Sequence, residues 1–148
     1  MNIEEIGRPI EILLVEDNPA DVRLTIEVFK DARVHSHLSV VEDGVEALAF
    51  LRHEKKYAHV PRPDIVLLDL NLPKKDGLQV LAEIKEDENL KRIPVIILTT
   101  SQAEEDIIRT SDLHANCFIT KPVALEEFIK VVESLKEFWL TVAKLPPE

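Results

Sequence analysis

The chain is short of cysteine, of basic charge and of long apolar runs, and each shortage removes a class of function. One cysteine, Cys117, stands among 148 residues, so no disulfide can close within the chain, and a reducing, cytoplasmic setting is expected. No apolar run approaches the roughly 18 residues that a membrane-spanning helix needs. The opening MNIEEIGRPIEI lacks the charged-then-apolar layout of a secretory signal. Lys and Arg number 18 against 28 Asp and Glu, a formal net charge of −10. Nucleic-acid backbones are held by Lys and Arg, so no nucleic-acid partner is expected. The same acidity keeps a small domain soluble and leaves a protein partner or a bound cation open. No internal repeat or low-complexity tract is visible. Only 26 residues follow Pro122, room for a helix and a tail, so neither a DNA-binding nor a catalytic output domain is expected there.

What is present suits one domain with one core. Residues 1–8 are polar and predict a flexible arm; 9–148 predict a single domain with an extended C-terminal helix and tail. Four short apolar runs read as strands buried on both faces: Ile12–Val15, Ile65–Leu68, Val95–Leu98 and Cys117–Ile119, with Leu38–Val41 as a weaker fifth. Helical patterns lie between and after them. Asn18-Pro19 opens one that reaches Phe29, Asp43 caps one through Leu51, and Asp76 caps one through Ile84. Two more are expected over 103–113 and 124–143. His53–Asp64, with Pro61 and Pro63, reads as a long loop. Five alternations of strand and helix predict an α/β fold, a doubly wound five-stranded parallel sheet with five helices.

In such sheets ligands gather at the carboxyl ends of the strands. Glu16 and Asp17 follow the first apolar run, Asp69 the third, Thr99 the fourth and Lys121 the fifth. Any one of these could be a turn residue or a helix cap; their coincidence is what points to chemistry. Three carboxylates at one sheet edge repel one another, and a divalent cation resolves the repulsion. Mg²⁺ takes hard oxygen ligands, typically one or two carboxylates with a phosphate oxygen. Lys121 offers a compact positive charge for a phosphoryl oxygen or for Asp69, and Thr99 a hydroxyl that can follow an oxygen.

At these residues the sequence resembles the receiver domains of bacterial two-component response regulators, whose fold is flavodoxin-like. The matching stretches are Leu14-Val15-Glu16-Asp17-Asn18, Leu68-Asp69-Leu70-Asn71-Leu72-Pro73 with Asp76-Gly77, Leu98-Thr99 and Thr120-Lys121-Pro122. Within that family it is similar to the small regulators paired with bacterial phytochromes. That likeness rests on 57–64, Pro73-Lys74-Lys75-Asp76-Gly77, Leu113-His114-Ala115-Asn116-Cys117 and Phe138-Trp139-Leu140-Thr141. The resemblance implies that Asp69 is the phosphoacceptor. Glu16, Asp17, Asp69 and the Asn71 backbone carbonyl would hold Mg²⁺, with Mn²⁺ as a substitute. Lys121 and Thr99 would contact the phosphoryl group, and Thr99 and Phe118 would form the switch pair. Phe118 lacks the hydroxyl that a tyrosine there would bring to a partner. Thr100 departs from the smaller residue usual in the family and is expected to narrow access to the phosphoryl group.

The implied function is a phosphoacceptor signalling domain rather than an enzyme. Its donor would be a sensor histidine kinase of phytochrome type and its output protein contact. Its own chemistry would extend at most to labelling by small donors and self-dephosphorylation. On the last helix, Leu125, Phe128, Val132, Leu135, Trp139 and Val142 form a stripe suited to covering the sheet. Val131, Phe138 and Leu145 form a second row spaced by seven, which predicts a homodimer through the last helices and tail. The rivals are a Mg²⁺-dependent phosphohydrolase, a phosphorylation-independent adaptor, and a flavin or nucleotide carrier. The hydrolase lacks its usual acid, because Asn71 stands two residues after Asp69. The carrier lacks a phosphate-cradling loop after the first strand. The scattered histidines predict no zinc site, Cys117 a strand residue rather than a nucleophile, and Lys55-Lys56 beside Tyr57 a solvated loop.

Overall fold

A computed structural model describes residues 9–32, 36–100, 106, 117–121, 126, 127 and 130. Five parallel strands form the sheet: β1 (Ile10–Val15), β2 (Ser36–Val41), β3 (Ile65–Asp69), β4 (Val95–Thr99) and β5 (Cys117–Thr120), in the order β2-β1-β3-β4-β5. Between them lie helices α1 (Pro19–Ala32), α2 (Gly44–Leu51) and α3 (Gly77–Glu86). This is the doubly wound arrangement, and the sheet reverses direction of growth between β1 and β3. The arm at 1–8, the helices expected over 103–113 and 124–143, and the proposed dimer seam lie outside the described residues, apart from helical backbone at Asp106, Glu126, Glu127 and Lys130.

The strands are apolar on both faces because both faces are covered. Leu13, Val15, Val66, Leu68, Val95 and Ile97 share one core layer with Leu48 and Leu51 of α2 and Val80, Leu81 and Ile84 of α3. The alternate residues, among them Ile12, Leu14, Leu67, Ile96 and Ile119, are also buried. Right-handed crossovers put α1 against that second face, where its Val28 and Phe29 are buried. Strand β2 is the exception. It lies at the sheet edge, Val40 is exposed and Val41 buried, so its pattern is mixed and its signal weak. It begins at Ser36, two residues before the expected start, as β1 begins at Ile10.

Each helix start is fixed by its cap. Asn18 Oδ1 accepts from the N–H groups of Ala20 at 2.9 Å and Asp21 at 3.3 Å, with Pro19 needing no partner in the first turn. Asp43 Oδ1 accepts from Glu46 N–H at 2.8 Å. Asp76 and Gln79 form a reciprocal capping box. The loop over 53–64 contains a 3₁₀ turn, Lys55–Tyr57, which was not expected. It forms because Tyr57 turns back onto α2: its ring lies 5.2 Å from that of Phe50 and its hydroxyl donates to Glu46 at 2.6 Å. The loop's far end is tied to β1, Asp64 exchanging hydrogen bonds with the Glu11 backbone at 2.7 and 2.9 Å. Lys56 stays exposed, 3.3 Å from Glu46. Among the described residues no helix is long and apolar enough to cross a membrane.

Candidate functional site

The reversal between β1 and β3 opens a crevice at the carboxyl edge of the sheet, and strand register decides what lines it. Val15 pairs with Leu68, Asp69 with Leu98, and Thr99 with Thr120. The residues just past those pairs therefore converge. Asp69 and Thr99 are the last residues of their strands and both are buried. Glu16 N–H donates to Val41 O at 3.0 Å, which turns its side chain into the interior, while Asp17 faces solvent. Lys121 N–H donates to Thr99 O at 2.8 Å, so the lysine's backbone is moored to β4.

One ammonium faces three carboxylates. Lys121 Nζ lies 2.7 Å from Glu16 Oε1, 3.0 Å from Asp21 Oδ2 and 3.2 Å from Asp69 Oδ2. The second oxygen of Asp69 accepts from Asn71 N–H at 3.2 Å, and Glu16 Oε2 accepts from Asn18 N–H at 3.4 Å. Glu16 Oε1, although ion-paired, has no aligned hydrogen-bond donor among the described residues. The carboxylates outnumber their counter-charge, and the protonation preferences reflect it. Burial first, then the Asp69 carboxylate, push Glu16 up to about 7 against the pull of Lys121. Burial alone would lower Lys121, but its ion pairs with Glu16 and Asp21 outweigh that and hold the ammonium above its ordinary range.

This excess of buried negative charge invites a cation. Oxygens of Glu16, Asp17 and Asp69 lie within 4.8 Å of one another, the single group of three or more metal-type side chains among the described residues. The set is all carboxylate, a hard-oxygen donor set that suits Mg²⁺ or Mn²⁺, and Glu16 Oε1, which has the Lys121 ammonium at 2.7 Å, is an acceptor such an ion would further satisfy. The loop beyond Asp69 is packed tightly enough to hold this geometry. A Cβ on Gly77 would sit 2.5 Å from both the Asp69 carbonyl oxygen and Leu70 Cα. Lys74 takes a positive φ of 67° inside a turn closed by Lys75 N–H to Pro73 O at 2.8 Å. Its ammonium reaches Asp43 Oδ2 at 3.4 Å, and that of Lys75 pairs with Glu83.

Comparison with known proteins agrees with this geometry. Residues 12–133 match the family model of the response regulator receiver domain. The chain belongs to that family. Response regulator Rcp1 of Synechocystis sp. is 49% identical to this receiver over 97% of each chain. The phosphorylated cyanobacterial phytochrome response regulator RcpA is 52% identical, with a TM-score of 0.75 over 94% of this chain and 99% of that one. The Mn²⁺-bound form of Rcp1 is 50% identical, with a TM-score of 0.74 over 94% and 100%.

Of the residues singled out in the sequence, the receiver brings Glu16, Asp17, Asp69, Thr99 and Lys121 to one sheet edge. Asn71 lies beside Asp69 with its N–H on that carboxylate. Phe118 is half-buried against the core layer of α2 and α3. Thr100 is exposed. The residue missed was Asp21. It lies in the first turn of α1, and no local signal marks it, because its contact with Lys121 depends on the approach of that helix start to the end of β5.

Proposed function

We propose that this receiver is a phosphorylation switch of a two-component system, taking a phosphoryl group on Asp69 from a sensor histidine kinase of phytochrome type. The observation that carries the reading is the environment of Asp69: a buried carboxylate beside Glu16 and Asp17, with the Lys121 ammonium at 3.2 Å. An Asp69 oxygen attacks phosphorus in line, the phosphorus–nitrogen bond of a phosphohistidine breaks, and the imidazole leaves with that electron pair. A carboxylate nucleophile has no proton to lose, so the step needs no general base. Lys121 neutralises charge on the transferred group. A divalent cation held by Glu16, Asp17, Asp69 and the Asn71 carbonyl supplies, when bound, further neutralisation of the phosphoryl oxygens. Thr99 then hydrogen-bonds the new oxygens, and Phe118 turns to follow it.

Asn71 stands where an aspartyl phosphohydrolase carries its acid, and its backbone is engaged with Asp69, so turnover of a free phosphate ester is not favoured. Output by protein contact, and a homodimer through the last helices, complete the proposal. Sedimentation at micromolar concentration tests the dimer. For the switch itself, Mg²⁺ and phosphoramidate should add one acid-stable, base-labile phosphoryl mass to the protein, and Asp69→Asn should abolish it. Undiminished labelling of Asp69→Asn would overturn the assignment.

A further inference from the structure

Among the described residues, Asp21 is the one carboxylate on Lys121 that stands outside the metal-type cluster. Glu16 and Asp69 both contact the lysine and belong to the cluster with Asp17. Asp21 contacts the lysine at 3.0 Å and does not belong to it. It is also the outermost of the lysine's three partners: its side chain is 27% exposed, against 1% for Glu16 and 4% for Asp69. Among the described residues, four carboxylates and one ammonium, with one divalent cation bound, leave the pocket with a single net negative charge. Asp21 is the acid that lies outside the metal-type cluster, and it is the lysine partner nearest the opening.

We propose that Asp21 is a specificity-determining residue of the phosphoacceptor pocket, one that disfavours small anionic phosphodonors by placing negative charge at the mouth and by competing for the Lys121 ammonium. The inference rests on the phosphoacceptor reading of Asp69. Both effects have the same sign. An incoming phosphoryl group must take one of the three N–H donors of Lys121, and Asp21 holds one of them. An approaching anion also meets the Asp21 charge before it meets the lysine. A kinase that brings docking energy of its own can offset that repulsion, whereas a free small molecule cannot.

Two donors of different charge separate the effects. With acetyl phosphate, a dianion at neutral pH, an Asp69 oxygen forms the new O–P bond, the P–O bond to the acetyl group breaks, and acetate leaves with the electron pair; no proton moves. With phosphoramidate, a net monoanion, the P–N bond breaks and ammonia leaves with its third proton already in place. Charge repulsion scales with donor charge, so Asp21→Asn should speed labelling by phosphoramidate roughly twofold and by acetyl phosphate roughly fourfold at low salt. The difference between donors should fade near 1 M salt, where the Debye length is about 3 Å. Asp21→Glu should keep the wild-type preference. The side-chain ammonium resonance of Lys121 should shift in Asp21→Asn and stay near its wild-type position in Asp21→Glu, a readout independent of turnover.

Unchanged or slower labelling of Asp21→Asn, in protein whose wild type is labelled, would overturn this proposal alone. So would a gain equal for both donors and indifferent to salt, which would reduce Asp21 to a tether for the lysine. A wild type labelled by neither donor in the presence of Mg²⁺ would overturn the phosphoacceptor reading, and this inference with it.

Discussion

Lys121 Nζ and Glu16 Oε1 lie 2.7 Å apart at a site where the glutamate side chain is 1% exposed. One ammonium cannot compensate three close carboxylates in a poorly solvated pocket, so Glu16 costs the cation-free protein stability while equipping it to bind a metal. Glu16→Gln should therefore raise cation-free stability by about 1 kcal/mol in urea unfolding with chelator present. The same change should weaken Mn²⁺ binding at least about tenfold, read by paramagnetic resonance, because a charged ligand is lost. A variant that loses stability and keeps its Mn²⁺ affinity would contradict this account.

The close approach at Gly77 predicts a second outcome. A methyl group there meets Asp69 O and Leu70 Cα at 2.5 Å, and backbone on both sides cannot yield as a flexible side chain would. Gly77→Ala should cost about 2 kcal/mol and slow labelling of Asp69 in the residual folded protein. Stability by denaturant titration and labelling by mass spectrometry check the two halves.

Cap removal offers a milder perturbation of the same loop. Asp76 accepts from Gln79 N–H at 2.9 Å, and Gln79 answers Asp76 N–H at 3.2 Å. Asp76→Ala should cost about 1 kcal/mol, and Asp76→Ser, which keeps an acceptor, should recover most of it. Equal losses in the two variants would show that the carboxylate matters for something other than capping.

Tyr57 is the chain's one tyrosine, so its titration can be followed without interference from others. Burial first, then the hydrogen bond to Glu46, push its hydroxyl up to about 12. The folded state thus prefers the neutral phenol. The stability it contributes is fully present below the unfolded value near 10 and is lost as pH rises through about 12. Tyrosinate absorbance should show a midpoint near the higher value in folded protein, and Glu46→Gln should lower it. A folded protein titrating at the ordinary value would refute the contact.

Much of this was legible in the sequence because the controlling forces are local or nearly so. Runs such as Val95–Leu98 announce strands covered on both faces, and Asn18, Asp43 and Asp76 announce helix starts through their own side chains. Asp69, Thr99 and Lys121 could be picked out because each follows an apolar run, and strand ends are where parallel sheets gather ligands. Strand β2 was underestimated because it lies at the sheet edge and only its last residue, Val41, is fully buried, which dilutes its apolar pattern. The contacts that escaped depend on the approach of distant segments. Asp21 meets Lys121 across 100 positions, and Asp43 meets Lys74 only because the α2 start and the β3–α3 loop touch. A Cβ on Gly44 would sit 2.1 Å from Lys75 O at that same junction, and nothing in the local sequence states it.

The hydrogen bond from Lys121 N–H to the Thr99 carbonyl has a mechanical consequence. It welds the tips of two adjacent strands, so the threonine and the lysine share one rigid platform. Their side chains can swing toward a newly arrived oxygen by bond rotation, whereas parting the tips would cost that bond, about 1 kcal/mol. A displacement of one tip is therefore felt at the other through the backbone as well as through side chains.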